Sequence, residues 1–200
     1  HAAKEGDQVV LRYDASDQAV DVRRSSGVEF DVTLPGAAGV RARTSNGAIR
    51  VSGVEGALDL ETSNGEIVIE QYAGPVAAST SNGQVLVRGG EGTLDLRTSN
   101  GRIRIEDVTA TVRAETSNGE IAFSGRLADG DHRLRSSNGH INVRLPMETS
   151  VRVLARTANA TIASSLPLVG DVDGRAWDAA LNPPCRATLT IETSNAAIDL

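Results

Sequence analysis

Three histidines, one cysteine and a spread of carboxylates are the residues of this chain most able to do chemistry. A hydrolytic triad needs serine, histidine and aspartate brought together. His1 heads the chain, His132 ends "ADGDH", and His140 follows "SSNG" at an outward-facing position. Nothing near either internal histidine supplies the activation that a catalytic imidazole needs. Both are expected as solvated surface groups. Asp59 and Asp95 fall in one column of the repeat described below, with Ala77 between them. Two carboxylates at such a range could hydrolyse a glycoside, but surface charge is the simpler expectation. "ADGDH" (128–132) and "GDVDG" (170–174) have too few oxygen ligands at set spacing for a calcium loop. Cys185 stands alone, which excludes an internal disulfide framework and a paired-cysteine metal site. Its neighbour Arg186 is weak support for a reactive thiol. The expectation is a non-enzymatic chain with no catalytic residue, no bound metal and no cofactor.

What does recur is an amide. "RTSNGAIRV" (43–51), "ETSNGEIVI" (61–69) and "STSNGQVLV" (79–87) are near copies. The asparagines of the motif are Asn46, Asn64, Asn82, Asn100, Asn118, Asn138, Asn159 and Asn195, spaced by 18 four times and then by 20, 21 and 36. A period near 20 marks a solenoid. Read along the alternation of the preceding strand, Thr and Asn of the motif face inward and Ser faces out. A buried amide must satisfy both its C=O and its NH₂, and the copies above and below can do so. The asparagines are therefore expected to form a structural ladder. The turn glycines Gly47, Gly65, Gly83, Gly101, Gly119 and Gly139 are expected to supply the positive φ of an Asn-Gly turn. Ala160 and Ala196 replace glycine in "TANA" and "TSNA". Those two corners are expected to differ in backbone geometry, or their coils to be less regular.

The elements that carry the motif are short. Ile49, Ile67, Val85, Ile103 and Ile121 share one position of the repeat, and Val51, Ile69, Val87, Ile105 and Phe123 the position two residues on. Leu58, Val76, Leu94 and Val112, with Leu60, Ala78, Leu96 and Ala114, make a second such pair, and mostly polar or small residues lie between. Each repeat thus holds two alternating strands. Gly53, Gly56, Gly74 and Gly92 punctuate the far side of the coil. The fold class is all-β: a single-domain parallel β-solenoid, about 18 residues and two short strands per coil. Parallel crossovers favour a right-handed coil. Residues 1–27 read as N-terminal capping strands, with a turn at Asp14–Asp17, and "VEFDVTL" (28–34) leads through Pro35-Gly36 into the first coil. Regular coils run over 28–164. Residues 165–200 read as an irregular coil followed by a C-terminal capping coil. Trp177 is assigned as the end cap of the core. The stretch ends in "TSNAAIDL", which would leave the last coil bare and suit end-to-end association or a following domain.

Totals narrow the partners. A net charge of −6 and a pI near 5.1 disfavour nucleic acid. No 18-residue apolar run is present, so this segment does not insert in a membrane. Val68 and Leu86 form a small outward apolar strip between Arg50 and Arg104, a candidate contact surface.

With the repeats in place, the chain resembles the bacterial DUF4097-type β-solenoid family, an adhesin-labelled family of unknown function. The resemblance rests on "VEFDVTLPGAAGVRARTSNGAIRV", the run of "TSNGxIxV" coils, "VRLPMETSVRVLART" and "LTIETSNAAIDL", over roughly residues 28–200. It implies an extracellular, cell-surface or periplasmic solenoid, often tethered upstream, and it carries no catalytic residues to transfer. The leading expectation is a scaffold or adhesin-like binding module. Its partner would be a protein or glycan at the cell envelope, or another copy met through the solenoid ends. The alternatives are a carbohydrate-active β-helix enzyme and the ectodomain of a membrane-anchored envelope sensor.

Overall fold

The computed structural model describes residues 39–200, together with the backbone of strands Ala3–Glu5, Gln8–Val10, Ala19–Arg24 and Phe30–Val32. The turn expected at Asp14–Asp17 and the Pro35-Gly36 step lie outside the described residues. Ala3–Glu5 and Gln8–Val10 form a separate antiparallel pair.

The described chain is all-β and coils into a parallel solenoid. Among the described residues no helix is long and apolar enough to cross a membrane. Gly39–Thr44 pairs with Leu58–Thr62, so that Leu58 lies over Val40 and Leu60 over Ala42. Ile49–Ser52 pairs with the start of Ile67–Thr80, so that Ile67 lies over Ile49. Ile67–Thr80, Val85–Thr98 and Ile103–Thr116 each run through a bend that carries the chain from one sheet to the other. Their registers keep like residues stacked, Ile103 on Val85 on Ile67 and Leu96 on Ala78. Below them, Ala19–Arg24 and Phe30–Val32 pair in parallel with Gly39–Thr44 and Ile49–Ser52, making one further layer.

Inward side chains from the two sheets fill a thin core of aliphatic residues, as strand alternation demands. One column alternates in size: Ala42, Leu60, Ala78, Leu96, Ala114, Leu134. All six are buried. Large and small residues therefore interlock from layer to layer, which fills the interior without widening it.

Coil order departs from chain order at one end. Gly130–Ser136 pairs in parallel with Ala187–Thr193, and the opposite edge of Ala187–Thr193 pairs in parallel with Val151–Thr157. On the second sheet Ile198–Asp199 likewise lies between Ile141–Arg144 and Ile162–Ala163. Residues 187–199 are thus threaded between two coils that precede them, instead of forming the terminal layer that their place in the sequence suggests. The outer edge of Val151–Thr157 is covered by an antiparallel strand, Ala176–Leu181, which pairs in turn with Val169–Asp171. Arg152 clamps this hairpin, donating from Nε and Nη2 to the two carboxylate oxygens of Asp178 at 2.8 and 2.6 Å. Those hydrogen bonds hold the Asp178 carboxyl below its usual range and raise the guanidinium of Arg152.

Candidate functional site

Among the described residues, eight copies of the corner lie over one another. Each Asn above Asn46 donates its Nδ2 to the Oδ1 of the Asn one layer below. The distances are 2.6 Å for Asn64 to Asn46 and Asn82 to Asn64, and 2.8 Å for Asn100 to Asn82, Asn118 to Asn100 and Asn138 to Asn118. The ladder continues from Asn195 to Asn138 and from Asn159 to Asn195, both at 2.7 Å. It therefore follows the spatial order of the coils through the threaded segment. The backbone beneath it repeats as well: the Ser45 carbonyl accepts from the N–H groups of Ser63 and Asn64, and Ser63 does the same for the next coil.

The inward orientation expected for these amides is wrong. Asn46, Asn64 and Asn118 are exposed, as are the serines beside them. Facing alternates only while the backbone is extended, and the strand ends at the threonine. Past it the chain bends, both polar side chains stand outside, and the glycine is pressed inward. The buried polar ladder is made by the threonines instead. Thr62 Oγ1 accepts from the Gly65 N–H at 3.1 Å and donates to the Gly47 carbonyl at 3.2 Å. The same pair of bonds recurs at Thr80, Thr98 and Thr116, and at Ser136. One hydroxyl thus satisfies a turn donor in its own coil and an acceptor in the next. A Thr or Ser at the head of every motif was the available signal.

The glycines are needed for closeness, not for handedness. The positive φ expected at Gly47 and its equivalents is found at the opposite corner, at Gly53 (67°), Gln71 (52°), Gly89 (61°) and Asp107 (55°). A Cβ on Gly65, Gly83, Gly101 or Gly119 would stand 1.7 to 1.8 Å from the carbonyl oxygen of the glycine one coil below. Ala160 and Ala196 are half-exposed where most of these glycines are buried. At those two corners the threonine still donates across layers, Thr193 to the Gly139 carbonyl and Thr157 to that of Ala196.

Outward side chains pair both along the stack and within single strands. Asp59 meets Arg41 at 3.0 Å and Arg43 at 3.6 Å, and Asp95 meets Arg97 at 2.8 Å. Each carboxylate of the suspected glycosidase pair is thus held by a guanidinium. On the other sheet Arg88 bridges Glu70 and Glu106, Arg102 meets Glu120, and Gln84 bonds Glu66. Val68 and Leu86 lie side by side in register between Arg50 and Arg104, half-buried on this face. The faces are therefore ruled by neutralised charge, with this apolar strip set among it.

His132 was expected on the surface and is 2% exposed. The ladder between neighbouring coils stops at Ala110 over Leu127 and resumes at Arg113 over Arg133. In that gap the Val112 N–H donates to His132 Nδ1 at 3.1 Å, and Nε2 lies 2.8 Å from the Ala128 carbonyl. These partners fix a neutral ring protonated on Nε2. Burial lowers its pKa, against smaller raising effects of the Ala128 carbonyl and Asp131. His140 does face outward, 2.8 Å from Asp199. Trp177 is half-buried against the end of the core, opposite Ala155. Asp129 lies 4.0 Å from Arg186, Asp171 accepts from the Asp173 N–H, and Cys185 is half-buried.

Comparison with known proteins falls on this same repeat. Residues 90–176 match the Toastrack DUF4097 family model. The Toastrack match begins within the regular coils and ends in the hairpin that covers Val151–Thr157, and it names the family that the repeats resemble. No curated protein matches the chain. A solved structure described as a "putative cell adhesion protein from Clostridium sporogenes ATCC 15579" aligns at 11% identity and a TM-score of 0.26, over 81% of this chain. The alignment spans 55% of that protein's length.

Proposed function

We propose that this chain is a non-enzymatic scaffold or adhesin-like binding module, displayed at the cell envelope or cell surface and meeting a protein or glycan there. The observation that carries this reading is the regular pairing of outward charge along both sheets. Paired guanidinium and carboxylate groups make broad, flat faces of fixed spacing, suited to an extended partner. The Val68–Leu86 strip is the point on those faces where contact would exclude water. The Toastrack match supports the same reading.

The test is a binding and turnover screen on arrayed envelope glycans and matrix proteins. Saturable binding without product, lost in Val68→Glu/Leu86→Glu while the urea midpoint is unchanged, is the expected result. A cleaved glycan product would replace this reading with an enzyme.

A further inference from the structure

We propose that residues 187–199 are an exchangeable plug, and that the slot between coils 133–144 and 151–163 accepts the same plug from a second copy of this chain. The slot walls are joined to each other through residues 145–150, and the plug supplies the strands between them. It forms parallel ladders on both edges in both sheets. It also buries Leu189, Ile191 and Ile198 against Leu134, Ile141, Val153 and Ala155. Without it, both walls expose apolar side chains and unpaired strand edges, which is the surface most prone to capture another strand.

Two features make the plug exchangeable. Its bonding surfaces repeat those of the regular coils in the Asn ladder and in the cross-layer threonine bonds. A plug from another copy therefore fits the slot in the same register. The second feature is the tether. Leu181 pairs with one edge of Val151, and Ala187 with the opposite edge. Residues 182–186 hop across that strand, mostly exposed, pinned to the neighbouring loop by Asn182 on the carbonyls of Met147 and Thr149 and by Ser150 on that of Pro184. Since the walls precede the plug in the chain, a state with both walls built and the slot open lies next to the native one. A short tether gives the chain's own plug an effective concentration of order millimolar. Exchange is therefore expected on refolding at comparable protein concentration and not at micromolar.

The test uses the full chain carrying Cys185→Ser, Arg135→Cys and Glu192→Cys. Residues 135 and 192 face each other in register across the wall and the plug. A control carries Arg97→Cys and Glu115→Cys, in register within contiguous coils. Each is refolded dilute and concentrated, oxidised, and resolved on non-reducing gels. Dimers joined through 135–192 only after concentrated refolding, with the control linked within single chains, are the expected result. Intrachain links at every concentration overturn the proposal, and so do interchain links in both pairs, which report entanglement. Should the cysteine variants fail to fold, light scattering of the unmodified chain decides. Concentrated refolding should yield a dimer, and a flexible Gly-Ser insert after Asn182, which lowers the effective concentration of the chain's own plug, should bring that dimer in at lower protein concentration. A strict monomer, or a dimer indifferent to the insert, overturns it.

Discussion

At the scale of single residues, the two corners of a coil need glycine for different reasons, and substitutions should separate them. At Gly101 a side chain meets backbone, so Gly101→Ala should cost about 1–3 kcal/mol and Gly101→Asn more. At Gly89 there is open space and a left-handed backbone. Gly89→Ala should cost about 1–2 kcal/mol, and Gly89→Asn less, because asparagine tolerates that conformation. Urea midpoints of the four variants decide it; the same ranking at both sites would contradict this account. His132 carries a second expectation. Its folded pKa lies below the ordinary 6.5, so below that value the unfolded chain binds a proton that the native chain refuses. Its contribution is complete above about pH 6.5 and is lost as pH falls through that window toward the lowered folded value. His132→Leu should therefore flatten the fall in stability between pH 7 and 5 relative to the parent. The sequence did carry a signal for this histidine: two extra residues leave the alternation unchanged, and His132 lies 18 residues after the inward Ala114 and two before the inward Leu134.

At the scale of strands and coils, the period, the two strands per coil and the inward columns were legible, because each is a property of one coil repeated. Ile49 through Ile121 and the Leu60–Ala78–Leu96–Ala114 column could be read directly. Leu96→Ala should cost about 2–5 kcal/mol, since its neighbours Ala78 and Ala114 are too small to fill the space. A loss below about 1 kcal/mol in urea denaturation would mean that the layers do not interlock. Orientation at the corner was not legible, because the rule of alternation was carried one bend too far. The order of the coils was hidden as well. Nearly identical coils fit nearly identical neighbours, so "TSNAAIDL" is as compatible with an inner layer as with an end. What distinguishes the two is the hairpin 169–181, whose strands cover the edge that the last coil would have taken.

At the scale of the whole molecule, one row of amides records the entire stack. Asn195 touches both Asn138 and Asn159, although 57 and 36 residues separate them in sequence. The faces, the covered end and the exchangeable plug all depend on that order. The most direct test is nuclear Overhauser contact between assigned side-chain amides in a stereo-selectively labelled sample. The account predicts cross-peaks from Asn195 to both Asn138 and Asn159, continuing from Asn138 to Asn118, with none between Asn138 and Asn159. A direct Asn138–Asn159 contact, with Asn195 touching only Asn159, would show coils stacked in chain order and would contradict it.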